Sequence, residues 1–127
     1  GLFAADLFRM YQRYCDFKSW KLVTCVSGSI YQVVIDLRKD SSTYLEWVSL
    51  DLSPDQRTSF HVPEGCANAF LTMEDNTLVH YYSSFPFTEN AEKGIRYNDP
   101  FFKFDWPIKE PKHISDKDNN WPDFTTE

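Results

Sequence analysis

The sequence predicts an all-β fold, an antiparallel barrel or sandwich. Period-two alternation of apolar and polar residues recurs from Trp20 to Ser84. The alternating stretches return about every ten residues, with clusters of Gly, Pro, Asp, Asn and Ser between them. The stretch Trp20–Leu37, WKLVTCVSGSIYQVVIDL, contains two such runs joined at Ser27-Gly28-Ser29, the pattern of an antiparallel hairpin.

Residues 1–14 place Phe3, Leu7, Met10 and Tyr14 at helical spacing, while Gly1–Ala4 can end a strand. The expectation is a short strand followed by a short helix over residues 7–15, with Cys15–Ser19 as a connector. The hairpin follows. Its first strand carries Lys21 and its second Gln32 among apolar neighbours, and a polar side chain facing an interior needs a partner or a ligand. Lys39–Ser42 is a turn cluster, and Tyr44–Leu52 is a strand. Ser53-Pro54-Asp55 turns the chain into a short strand over Thr58–Val62. Pro63-Glu64-Gly65 leads into a strand over Cys66–Met73, and Thr77–Ser84 is the last clear strand.

From Phe85 to Phe124 periodicity is lost and Pro, Asp, Asn and aromatic residues dominate. Trp106, Trp121 and several Phe gain too much from burial to lie free in water, so an ordered tail wrapping the barrel is expected. The chain is read as one domain: an N-terminal arm (1–19), a barrel (20–84) and a wrapping tail (85–127).

With 127 residues the chain is long enough for an ordinary core. A net charge of −6 argues against a nucleic-acid footprint. No apolar run approaches the roughly 20 residues of a membrane span, and no signal peptide is evident, so a cytoplasmic protein is expected. Cys15, Cys25 and Cys66 show neither disulfide nor metal spacing and read as reduced thiols. His61, His80 and His113 form no His-x-His pair, and neither Cys-x-x-Cys nor His-Glu-x-x-His occurs, so no metal is expected. Phosphate-binding glycine loops and nucleophile elbows are also missing, and no cofactor is implied.

The run KLVTCVSGSIYQVVIDLRKDSSTYLEWVSLDLS, followed by FHVPEGCANAFLTM, GIRYNDP, FDWP and ISDKD, resembles the dTDP-4-dehydrorhamnose 3,5-epimerase family. The likeness is carried by Asp36-Leu37-Arg38-Lys39, the Pro63-Glu64-Gly65 corner and Ser115-Asp116-Lys117-Asp118, and runs nearly without gaps from Trp20 to about Trp121. It implies a metal-free cupin, an antiparallel jelly-roll barrel that forms a homodimer and acts on nucleotide-linked 4-keto-6-deoxy sugars. It also implies a mechanism in which a His–Asp pair removes a proton next to the ketone and a tyrosine reprotonates the opposite face. Carried over by position, Tyr81 falls at the acid, Asp118 at the aspartate that orients the base, and Lys21 at a lysine beside the sugar. Without the resemblance, Tyr81 reads as cross-strand packing, Lys21 as a surface lysine and Asp118 as a solvated acid.

The chain departs from the family pattern in three places. The histidine of the family's Arg-Gly-Leu-His-Tyr-Gln strand is missing, and alignment of Met10-Tyr11-Gln12 with its end puts a thioether, which cannot remove a proton, at the base. An inward aspartate is replaced by Gln32, and an Ala-His-Gly by Ala67-Asn68-Ala69. Gln32 and Asn68 are therefore expected to bind substrate as neutral amides, without proton transfer. In a different alignment, Gly1–Phe8 matches the family's early Arg-Gly-Phe-Phe strand. A segment holding the histidine strand would then be absent between about Tyr14 and Phe17, leaving a sheet edge unpaired. The function implied is epimerisation of a nucleotide-linked 4-keto sugar; the alternative is a non-catalytic sugar-nucleotide-binding homologue.

Overall fold

A computed structural model describes residues 2–5, 10–15, 20–83 and 92–126, with side chains at 20–83 and 94–126. Two antiparallel sheets face one another. The first has the order β1 (Leu2–Ala5), β8 (Thr77–Ser83), β3 (Lys21–Ser27), β6 (Ser59–Val62). The second has the order β5 (Trp47–Leu52), β4 (Ile30–Asp36), β7 (Cys66–Thr72), β2 (Met10–Cys15), β9 (Glu92–Lys93). A short 3-10 turn, Pro54–Gln56, precedes β6, and one helical turn, α1 (Asp116–Asn119), lies in the tail.

The stretch read as a hairpin is not one. β3 pairs with β6 and β8, β4 pairs with β5 and β7, and the Ser27-Gly28-Ser29 corner carries the chain from one sheet to the other. The cause lies in β4, which is buried on both faces: Ile30, Gln32, Val34 and Asp36 on one, Val33 and Ile35 on the other. A strand with two buried faces belongs in the middle of a layered structure, between a core and a second cover. Gly28 makes the corner possible. Its φ is +76°, and the Thr77 backbone lies 2.8 Å from where a Cβ would stand, so any other residue would be strained and crowded.

The N-terminal arm is also different from expectation. Met10–Cys15 is a strand, not part of a helix, and pairs with β7 from Met10 opposite Leu71 to Arg13 opposite Asn68. The sequence MYQRYC satisfies both a helical and a period-two pattern, and the open flank of β7 selects the strand. β2 fills the edge that the alternative alignment would have left unpaired. β1 completes the first sheet, with Leu2 opposite His80. Residues 6–9 and the connector over residues 16–19 lie outside the described residues, as do 84–91. β5 begins at Trp47, three residues later than expected, because Thr43–Glu46 turns back onto Asp36, with Leu45 at φ +67°.

Two apolar clusters hold these layers. Val23, Cys25, Val62 and Val79 of the first sheet meet Ile30, Val34, Leu52 and Phe70 of the second in the interior. On the outer side of the second sheet, Val33, Ile35, Ala67 and Ala69 are covered by Ile95, Phe102, Phe104, Trp106 and Phe124 of the tail. The wrapping tail is therefore as the aromatic content predicts. Burial of Val33 or Ile35 stabilises the fold by about 1.5–3 kcal/mol each. The tail is fastened by polar contacts: Trp47 Nε1 donates to Phe102 O (2.9 Å), Trp106 Nε1 to Tyr97 O (2.8 Å) and Tyr31 Oη to Asp105 Oδ1 (2.7 Å). The buried Asp99 carboxylate accepts from the backbone N–H groups of Phe101 (2.9 Å) and Phe124 (2.8 Å).

Candidate active site

Strand register decides which side chains share the interior. In β3, Lys21, Val23 and Cys25 form one face, and the last two are buried core residues. Tyr81 is directly opposite Val23, and Ser83 is opposite Lys21. Directly paired residues project from the same face of a sheet, so Lys21 and Tyr81 both turn inward from the first sheet, each half-buried. In the second sheet Gln32 is opposite Phe70, and Asn68 is opposite Val34. All four belong to the inward face, and Gln32 and Asn68 are 0% and 4% exposed.

Lys21, Tyr81 and Asn68 lie toward the ends of their strands away from the Gly28 corner, whereas Gln32 is one inward step from Ile30, nearer that corner. Lys21 is opposite Val62, the last residue of β6, and the chain then turns through Pro63-Glu64-Gly65 into β7 and Asn68. The other end of the interior, beside the Gly28 corner, is filled by Cys25, Ile30, Leu52 and Val79. Polar side chains thus stand among an apolar core that runs the length of the interior.

Gln32 Nε2 donates to Asn68 Oδ1 and, at 3.3 Å, to Val33 O. Gln32 Oε1 is buried without a hydrogen-bond partner among the described residues. A buried acceptor in that state favours a donor supplied by a ligand or by water.

Asp36 ends the inward face of β4 and has a different task. Its carboxylate accepts from Arg38 Nε (2.9 Å), Arg38 N (2.9 Å), Ser41 Oγ (2.6 Å) and Thr43 Oγ1 (2.6 Å). The Arg38 guanidinium, helped by the two hydroxyls, holds its pKa well below the usual carboxylate range. A carboxylate so saturated anchors the 38–46 loop and is not available as a base. Cys66, opposite Asp36, is a half-buried free thiol, and burial pushes its pKa up. Cys25 is a buried free thiol, also pushed up by burial.

Asp118 lies in the tail. It is 2% exposed in α1, where Ser115 Oγ accepts from its backbone N–H at 3.1 Å. α1 packs against β2, and Trp121 Nε1 donates to Asp118 Oδ1 at 3.1 Å. The role of Trp121 was not foreseen, although its position three residues after Asp118 in a helical turn is a readable signal. His61 and His80 belong to the outward face of the first sheet, opposite Leu22 and Thr24, and both are exposed. Among the described residues no cluster of His, Cys, Asp and Glu could hold a metal ion, and no helix is long and apolar enough to cross a membrane. An open groove of about 460 Å³ lies elsewhere, beside Trp47, Val48 and Phe101, and contains none of these site residues.

Two facing antiparallel sheets, with an aromatic tail across the back of one, define a cupin-type β-fold. The chain belongs to the dTDP-4-dehydrorhamnose 3,5-epimerase family, whose sequence model matches residues 10–126. It is 40% identical over 103 residues to the dTDP-4-dehydrorhamnose 3,5-epimerase of Methanothermobacter thermautotrophicus, covering 80% of this chain and 56% of that protein. Among solved structures, the Bacillus anthracis dTDP-4-dehydrorhamnose 3,5-epimerase with TDP and PPi bound matches with a TM-score of 0.92 at 30% identity, covering 98% of this chain and 73% of that one. The Legionella pneumophila dTDP-6-deoxy-D-glucose-3,5-epimerase in complex with dTDP-4-keto-L-rhamnose matches with a TM-score of 0.86 at 27% identity, covering 93% and 64%. The chain spans about half the length of the curated relatives it matches.

Proposed function

We propose that this chain epimerises a nucleotide-linked 4-keto-6-deoxy sugar in deoxysugar or surface-polysaccharide biosynthesis. The observation that carries the reading is the facing of two walls. Lys21 and Tyr81 project from one sheet, and Gln32 and Asn68 from the other, into the space between the two sheets. A hydrogen on the carbon next to the C4 ketone is acidic because its removal leaves an enolate. A general base takes this hydrogen as a proton while the C–H electron pair forms the enolate, placing charge on the carbonyl oxygen, where the Lys21 ammonium would balance it. The Tyr81 phenol would then return a proton to the carbon from the opposite face, inverting it. Asp118 would orient the base, and the Gln32–Asn68 amides would hold sugar hydroxyls. No metal or cofactor enters this scheme. The bound nucleotides and keto sugar named for the two solved relatives support a nucleotide-sugar ligand. Family likeness further supports a homodimer working in the cytoplasm.

The test is incorporation of solvent deuterium into a dTDP-linked 4-keto-6-deoxy sugar. Label at C3 and C5 marks double epimerisation, and label at one carbon marks a single inversion. No label with any such sugar overturns the proposal.

A second reading is favoured by the sequence of β2, MYQRYC, which contains no histidine although α1, which carries Asp118, packs beside it. On that reading the chain binds a sugar nucleotide without turning it over. Calorimetric binding of the same sugar nucleotide, with no exchange into it, would establish that alternative.

A further inference from the structure

We infer that Trp121 is a positioning residue of the candidate site, fixing the Asp118 carboxylate through its indole N–H. The inference rests on the reading of Asp118 as part of that site. An ionised carboxylate that is 2% exposed needs donors aimed at it, and an indole nitrogen is a donor only. Trp121 Nε1 lies 3.1 Å from Asp118 Oδ1. α1 is only four residues long, too short to hold a side chain rigidly by its own hydrogen bonds, so orientation must come from outside it.

The indole is itself immobilised. A Cβ at Gly94 would overlap the ring at Nε1, Cε2 and Cδ1, so glycine is the residue that lets the ring seat there. Gly94 directly follows β9, whose two residues pair with Tyr14 and Cys15 of β2. Lys117 Nζ stands 5.8 Å from the ring centroid. Beyond Trp121, an ion pair between Arg96 and Asp123 and the bond from Phe124 N to Asp99 Oδ2 (2.8 Å) hold the next residues down. Trp121 thereby ties the Asp118 carboxylate to the backbone just after β9, at the edge of the second sheet. A carboxylate held in one orientation meets its other partners in one geometry, and loss of such support commonly lowers activity by about 10- to 100-fold.

The experiment is a double-mutant cycle in the solvent-exchange assay. Trp121→Phe keeps the ring and removes the N–H. It should lower kcat by about tenfold or more with little change in KM, and should have no further effect in an Asp118→Asn background. A purely structural tryptophan would impair both backgrounds alike, and that result overturns the inference, as does an unchanged kcat. If Asp118→Asn leaves kcat intact, the placement of Asp118 in the site fails, and the inference falls with it. If Asp118→Asn is impaired and Trp121→Phe is not, only the inference fails. Should Trp121→Phe not fold, or should wild-type protein show no turnover, the Trp121 indole proton decides by NMR. Slow solvent exchange that becomes fast in Asp118→Ala, which removes the acceptor, supports the contact, and exchange that is the same in both overturns it.

Discussion

Gln32 and Asn68 lie on adjacent strands, and the amide of the first donates to the carbonyl oxygen of the second inside the sandwich. The shared hydrogen bond couples the two amides. Gln32→Leu alone should cost about 1–3 kcal/mol, because it leaves Asn68 buried with its partner gone. Gln32→Leu combined with Asn68→Val should cost less than the sum of the two single changes. Urea unfolding of the four proteins in the cycle measures this coupling.

Tyr81→Phe removes the proposed proton donor and leaves a ring of the same shape. Deuterium incorporation should fall by about 100- to 10,000-fold while sugar-nucleotide affinity, read by calorimetry, changes little. Equal losses in affinity and exchange would point to a binding role for the hydroxyl.

Asp36 makes the fold sensitive to acid. Its folded-state pKa is depressed, chiefly by Arg38, so its contribution is present above the unfolded carboxylate pKa of about 3.9 and is lost as pH falls toward the folded value. Asp36→Asn should therefore cost about 1–3 kcal/mol at pH 7, and the gap to wild type should shrink steadily below about pH 4. Denaturant midpoints across that range give the comparison.

Gly28→Ala should be costly in a way that no surface glycine would be. The left-handed φ alone costs about 1–2 kcal/mol, and the approach of Thr77 adds to it. A loss above about 2 kcal/mol in thermal unfolding is expected.

Asp99→Ala should loosen the tail before the barrel. The variant leaves the N–H groups of Phe101 and Phe124 without their acceptor. Hydrogen exchange at those two amides should accelerate, while exchange in β4 and β7 stays slow.

Most strands were legible because alternation is a local property. β6, β7 and β8 match the expected stretches within a residue or two. Partner choice is not local, which is why the Gly28 corner reads as a hairpin although it joins two sheets. The informative signal was Ile30–Leu37, a nearly unbroken apolar run that a half-exposed hairpin strand would not need. Met10–Cys15 fits a helix as well as a strand, and only the vacant side of β7 distinguishes them. Register brings Lys21 and Tyr81 onto one face, a relation that depends on which strands are neighbours and is invisible in the sequence. The burial of Asp118 is hidden for another reason: DKDNN is polar throughout, and the cover comes from residues elsewhere in the fold.

β4 is a partition with Gln32 on the cavity side and Val33 and Ile35 against the aromatic tail. Because packed layers move as bodies rather than deforming freely, a change in volume at Phe102 or Trp106 shifts β4 without touching its inward residues. Under the proposed function, ligand preference would therefore be adjustable from the far side of the sheet. Libraries built on the tail aromatics, with every inward residue left alone, should yield variants of altered selectivity.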